Sequence, residues 1–330
     1  AASDVYKRQD ITGFQNEDGK ISAGDSNAAL LSFFARVNYD YDNKYLLSLS
    51  IRRDESSKFH KDNRVGYFPS VSAGWNVHQE KWFQNPVMSK LKIRASYGEL
   101  GANFLNPYNF DAIAYGPIPY TVGGERYVTG RAAYLKSKDL KWETAKTTDI
   151  GIELGFFNND LTLSLDYFVK KNVDLLAQID LNLSSGQIFE INSSREKPYV
   201  NTASVKNTGW EFMMNYRKQL TKDFHIDATF NIATLKNKVL SLGENVQPIT
   251  SGAMSSYFND APSITMPGEA IGSFYGYKID GFDAEGNFIF ADMDKNGVVN
   301  ANDKVILGSP IPDFTYGLNI NMEYKDFDLT

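Results

Sequence analysis

"YGLNINMEY", residues 316–324, puts Tyr316, Leu318, Ile320, Met322 and Tyr324 on one face of a strand and Gly317, Asn319, Asn321 and Glu323 on the other. Such strict alternation specifies a strand with one apolar and one wet face, because successive side chains leave a pleated backbone on opposite sides. The apolar stripe is aliphatic in the middle and aromatic at both ends. Tyrosine rings favour the two headgroup regions of a bilayer and aliphatic side chains its hydrocarbon, and about nine to eleven tilted residues cross it. Soluble sandwiches use strands of the same period, so the rest of the chain must decide between them.

Composition narrows the field. The 330 residues contain no cysteine, which removes disulfide scaffolds, thiol nucleophiles and thiolate metal sites. A net charge of -6 offers no basic excess to displace phosphate counterions, so no nucleic-acid partner is expected. Mean hydropathy is -0.37, and no run approaches the roughly 18 apolar residues of a membrane helix. A barrel tolerates that average, since half of each strand faces a polar lumen.

The chain reads as about ten strands. Residues 33–41 and 44–53 flank Asp42 and Asn43, a two-residue hairpin signal. Residues 70–78 and 91–98 flank an intermediate segment with room for a helical turn. Residues 145–157 and 161–170 flank "NND", 208–217 and 224–235 are joined by "KQLTKD", and 315–324 leads into "KDF". Between these hairpins the spacing predicts long links over 54–69, 100–144, 172–206 and 237–313. Short and long connections thus alternate, as in outer-membrane barrels with tight periplasmic turns and long outer loops. Leu161, Leu163 and Leu165, and Leu47, Leu49 and Ile51, are expected to face lipid. Thr162, Ser164, Asp166, Ser48, Ser50 and Arg52 are expected to face the lumen. Trp75, Trp142 and Trp210 read as girdle or packing residues.

Ordered blocks then carry a family resemblance: "YDNKYLLSLSIRRDESSKF", "VGYFPSVSAGW", "LKIRASYGELG", "KWETAKTTDIGIELGFFNNDLTLSLDYFVKK", "VKNTGWEF", "GSFYGYKIDGF" and "DFTYGLNINMEYKDFDLT". From about residue 28 onward the chain resembles the SusC/RagA group of TonB-dependent outer-membrane transporters. Glu55 stands where that family usually has glycine, and Ala102 interrupts a usual "GN". The resemblance implies an all-β fold, a transmembrane antiparallel barrel of 22 strands of which about ten lie here, residues 10–330, without the plug. It implies import of oligosaccharides or peptides across the outer membrane of a Gram-negative bacterium. Its partners would be a SusD-like lipoprotein lid, the TonB complex acting through an N-terminal region, outer-membrane lipid, and a second transporter in a homodimer. "DVYKRQ", residues 4–9, resembles a translated sequencing adapter, so residues 1–9 are set aside. The rival reading is a secreted glycan-binding β-sandwich or adhesin.

Two segments carry site chemistry. "DMDKNGVVNAND" places Asp292, Asp294, Asn296, the Val298 carbonyl, Asn300 and Asp303 at the oxygen spacing of an EF-hand-like loop, with Gly297 at its sharp turn. That pattern allows a structural Ca2+; Asp303 in place of the usual glutamate, and the lack of flanking helices, equally suit a self-bonded Asx-turn loop. No cofactor is required. Segment 104–134 concentrates aromatic residues among glycines and prolines. Tyr108, Tyr115, Tyr120 and Tyr127, with Arg126, are the candidate substrate contacts, because aromatic faces with hydrogen-bonding edges suit sugar rings and peptides alike. Catalytic patterns are missing: His60, His78 and His225 are dispersed, and Asp280, Asp283 and Glu285 read as solvated loop carboxylates, so no enzyme is expected.

Overall fold

A computed structural model of the chain describes residues 27–105, 114–132, 139–178, 199–243, 246–252 and 261–330, with 114–120, 126–132 and 178 described by their backbone. Its frame is one antiparallel sheet. The wall strands are β1 (Leu30–Tyr41), β2 (Tyr45–Ser56), β3 (Val65–Asn76) and β4 (Met88–Ala102), with the separate hairpin β5 (Ala114–Val122) and β6 (Glu125–Ala132) inserted after β4. The wall continues through β7 (Glu143–Phe156), β8 (Leu161–Gln178), β9 (Tyr199–Thr221), β10 (Phe224–Thr234) and β11 (Lys236–Ser241). Short strands β12 (Ile249–Ser251), β13 (Ser263–Thr265), β14 (Ser273–Tyr277), β15 (Ile279–Phe282), β16 (Phe288–Phe290) and β17 (Lys304–Gly308) follow, before β18 (Phe314–Tyr324) and β19 (Phe327–Leu329) close the wall. The sheet runs β1-β2-β3-β4-β7-β8-β9-β10-β18-β19, and β11 continues the pairing with β9 that β10 begins.

Turn chemistry fixes the register at one end. Asp42 and Asn43 hold φ of 52° and 54°, a left-handed pair that Lys44 N–H closes on Tyr41 O at 2.9 Å, and Lys44 adds a third turn residue before pairing begins at Tyr41–Tyr45, one residue later than the sequence predicts. Turns at 157–160, 222–223 and 325–326 lie at the same end, and a 3-10 turn at Val77–Gln79 occupies the expected intermediate segment.

The pairing register shows where a bilayer would lie. Tyr41, Tyr45, Trp75, Ile93, Ile152, Leu165, Phe212, Ile232 and Tyr316 form one unbroken row of cross-strand partners over nine strands. Every member is apolar or aromatic. At about 4.8 Å between strands and about 40° of tilt, eight steps climb about 25 Å, the height of the apolar band of an outer-membrane barrel. The row therefore leaves the short-turn rim in tyrosine and reaches the long-loop rim in tyrosine. Aromatic pairs mark both rims: Tyr41–Tyr45 and Tyr45–Trp75 at 6.3 Å, Tyr167–Trp210 at 4.8 Å and Phe314–Tyr316 at 6.3 Å between ring centres. Tyr45 and Trp75 also both donate to Glu80 in the short-turn connection.

The expected facing holds. Leu47, Leu49 and Ile51 share the apolar face with Val71, Ile150 and Leu318, all exposed in the isolated chain. Among the described residues no second sheet covers that face, which sets the sandwich reading aside. Half of the predicted link 54–69 is strand: β1 and β2 pair out to Leu30 and Ser56, β3 starts at Val65, and only 57–64 connect β2 to β3. Likewise β8 and β9 pair out to Gln178 and Tyr199, so the strands run on through 172–178 and 199–206 of the predicted link 172–206. Trp142 is not a girdle residue. It is 7 % exposed, packs on Phe59 and Phe68, and donates to Arg64 O at 3.0 Å, closing an apolar cluster with Leu105 and Leu140 under the long loops. Gly101 makes room for that cluster, since a Cβ there would meet the Phe68 ring at 1.9 Å.

Candidate functional site

The polar face opposite the lipid stripe carries a charge network. β4 presents Lys90, Lys92 and Arg94 in alternation, and β7 answers with Asp149 and Glu153. Glu153 takes Lys90 at 2.7 Å and Arg94 at 3.3 Å, and Arg94 reaches Asp166 on β8 at 2.7 Å. Arg94 and Asp166 are not on neighbouring strands. Both pair with Gly151 of β7, and the bridge passes over that glycine, where a Cβ would stand 1.8 Å from the Asp166 carboxylate. Ser164 steadies Asp166 with a 2.9 Å bond. Beside the network lies a concavity of about 520 Å³ whose lining includes Asn38, Asp40, Ser48, Ser72, Lys92 and Asp149. The predicted lumen residues Ser48, Ser50, Arg52, Thr162, Ser164 and Asp166 all share this face. Such a surface presents mixed charge and hydroxyls side by side. Lys90, Lys92 and Arg94 were not singled out from the sequence, although their alternation in β4 is a local signal; the partnership across Gly151 needed strand order, which no local pattern carries.

Of the predicted substrate contacts, Tyr108 lies outside the described residues. The others fall on one hairpin: Tyr120 is paired with Tyr127, Arg126 with Thr121, and Tyr115 with Arg131. Gly123 and Gly124, at φ of 62° and 84°, make its tip. The hairpin lies in the link between β4 and β7, so the backbone places four of the five predicted contacts on one two-stranded element.

The 292–303 loop joins β16 to β17. Carboxylate oxygens of Asp292, Asp294 and Asp303 lie within 4.8 Å of one another. Oxygens on opposite sides of one Ca2+ are about 4.6–5.2 Å apart at normal bond lengths, so these three fit a common cation. All six predicted ligands are also engaged inside the loop: Asp292 accepts the N–H groups of Asn296 and Gly297, and Asp294 that of Asn296. Asn296 Oδ1 accepts Val298 N–H, the Val298 carbonyl accepts Asn300 Nδ2–H, and Asn300 Oδ1 accepts Asn302 N–H. Asp303 is fully buried and accepts N–H groups of Asn300 at 2.7 Å and Met293 at 2.7 Å. Those bonds, the Asn300 amide foremost, hold its carboxyl below the usual range against the opposing effect of desolvation. Asp283, from the weighed carboxylate group, is a turn residue that accepts N–H groups of Glu285 and Asn287.

These features fit the proteins the chain resembles. It matches the family described as "TonB dependent receptor-like, beta-barrel" over residues 2–329. The chain belongs to the TonB-dependent receptor β-barrel family. Among curated relatives, TonB-dependent receptor P3 of Formosa agariphila is 36% identical over 318 residues, covering 91% of this chain and 31% of that protein. TonB-dependent receptor SusC of Bacteroides thetaiotaomicron is 33% identical over 324 residues, covering 91% and 30%. The chain thus spans about a third of the length of its TonB-dependent relatives. In fold it superposes on a chain of the RagAB peptide importer in its "open-open" state with a TM-score of 0.75 at 24% identity, covering 94% of this chain and 34% of that one.

Proposed function

We propose that this chain forms wall and outer loops of a TonB-dependent importer that takes oligosaccharides or peptides across the outer membrane. The observation that carries the reading is the Tyr41-to-Tyr316 row. It supports an apolar band of about membrane height on one face while the other face bears the Arg94 network and its concavity. An importer needs both faces. A SusD-like lipoprotein over the mouth, TonB acting on another part of the protein, and pairing of two transporters complete the proposal, supported by similarity to SusC and by the fold shared with RagAB.

The β5–β6 hairpin is proposed as a capture element, with Tyr120 and Tyr127 side by side in register. The test is uptake of labelled oligosaccharides and labelled peptides by cells whose only copy of the full-length protein carries Tyr120→Ala and Tyr127→Ala. A drop in uptake of one class, with normal amounts of protein in the membrane, supports capture and names the cargo. Unchanged uptake of both refutes the role of the hairpin.

The 292–303 loop is proposed to hold a structural Ca2+, on the convergence of Asp292, Asp294 and Asp303. Its residues would fix the connection between β16 and β17; no transport step depends on the ion. Protection of this loop from protease by Ca2+, and its loss in Asp294→Asn, is the expected result, and protease sensitivity indifferent to Ca2+ would refute it.

A further inference from the structure

The register aligns four lysines on the lipid-facing side. Lys146 on β7 pairs with Lys171 on β8, Lys171 with Lys206 on β9, and Lys206 with Lys238 on β11. They share the face of Ile152, Leu165, Phe212 and Ile232, each six residues further toward the long-loop end. Directly opposed side chains in antiparallel strands have Cβ atoms about 5 Å apart, and like charges there are destabilising. Four in a row are therefore an expensive arrangement. One carboxylate answers them: Glu99, across from Lys146 at 3.2 Å and also bonded to Tyr97. Among the described residues, Lys171, Lys206 and Lys238 have no carboxylate partner, and Lys171 and Lys238 are exposed.

Depth indicates what this face meets. By the same spacing and tilt that measure the apolar row, Lys146 stands about 28 Å above Tyr41 and Lys238 about 37 Å. The outer aromatic rim, Tyr167 and Trp210, lies just below at about 20–24 Å. The ladder thus begins where the hydrocarbon ends and rises through the headgroup zone, on the face turned away from the lumen and mouth. A soluble cargo does not visit that face. We propose that Lys146, Lys171, Lys206 and Lys238 form a docking ladder for the phosphate groups of an anionic lipid in the outer leaflet. Charge complementarity selects phosphate, and the apolar stripe below supplies the seat for its acyl chains. The inference rests on the barrel orientation alone and holds whichever cargo the lumen carries.

The experiment uses the full-length protein in detergent, titrated with bisphosphorylated lipid A, with the same lipid after enzymatic removal of its phosphates, and with inorganic phosphate. At about fivefold per lysine beside an anionic surface, K171Q/K206Q/K238Q should weaken binding of the phosphorylated lipid about a hundredfold. K171R/K206R/K238R should stay within a few fold of the parent. Dephosphorylated lipid should bind the parent as weakly as phosphorylated lipid binds the glutamine variant. Equal binding of the two lipids, or of parent and glutamine variant, would overturn the proposal, as would displacement of the lipid by millimolar inorganic phosphate, which would make this a free-anion site. In lipid-free detergent the glutamine variant should be at least as heat-stable as the parent, because repulsion is relieved; lower stability would contradict the argument from opposed charges.

Discussion

Tyr41 and Tyr316 stand on one row of paired residues and at opposite rims of the apolar band. The row that joins them converts strand register into depth, so each lipid-facing position carries its own expected sensitivity to charge.

Ile152 lies at the middle of that climb, about 12 Å above Tyr41, and Tyr316 at its upper end. Ile152→Arg in the full-length protein should therefore cost about 2–4 kcal/mol and Tyr316→Arg no more than about 1 kcal/mol. Reversible unfolding in lipid vesicles measures both. Equal costs would show that the row does not climb.

Gly151→Ala should break the Arg94–Asp166 bridge, because the added carbon meets the Asp166 carboxylate at 1.8 Å. Overpacking of this kind costs about 1–3 kcal/mol. In an Asp166→Ser background the same change should cost much less, and the four heat midpoints of that double-mutant cycle give the coupling. A cost independent of residue 166 would place the strain elsewhere.

Acid should loosen the 292–303 loop. The Asp303 carboxyl is held below its ordinary value of about 4 by amide donors. Its stabilising contribution is fully present above that ordinary value and is lost as pH falls through the lowered folded value. Amide exchange at Met293 and Asn300, which donate to Asp303, should be unchanged between pH 7 and 5 once intrinsic rates are corrected, and should rise in more acid solution. Asp303→Asn should show the fast exchange already at pH 7. Equal protection in the variant would mean that backbone bonds alone hold the loop.

Strands β1 and β19 each have one unpaired edge among the described residues, and β1 is exposed along its whole length. Exposed edges pair with other chains, and lipid cannot satisfy them. Residues 27–330 expressed alone should thus aggregate or stay in inclusion bodies. A monodisperse, detergent-free product by light scattering would contradict this.

Much of the wall was legible locally, because period two and paired turn residues such as Asp42 and Asn43 are written in adjacent positions. Leu47, Leu49 and Ile51 declared their face without knowledge of their neighbours. Trp142 did not, since its burial depends on Phe59, Phe68 and Leu105 arriving from three other segments. The strand ends near Ser56 and Gln178 were missed because charged runs, Arg52–Glu55 on β2 and Lys170–Lys171 on β8, interrupt the apolar alternation although the ladder of backbone pairing continues past them. The 292–303 loop was half visible. Spacing brought out Asp292, Asp294 and Asp303, but could not show that Asn296 and Asn300 turn their oxygens to backbone amides.

The bridge over Gly151 also bears on how the wall assembles. A two-residue slip of β7 keeps every apolar side chain toward lipid, so the membrane cannot detect it. Such a slip would bring Asp149 or Glu153 to the place of Gly151, wedging a second acid against Asp166 and leaving no path for Arg94. A glycine with no side chain of its own thereby proofreads the order and alignment of three strands, recording in the lumen an error to which the lipid is blind.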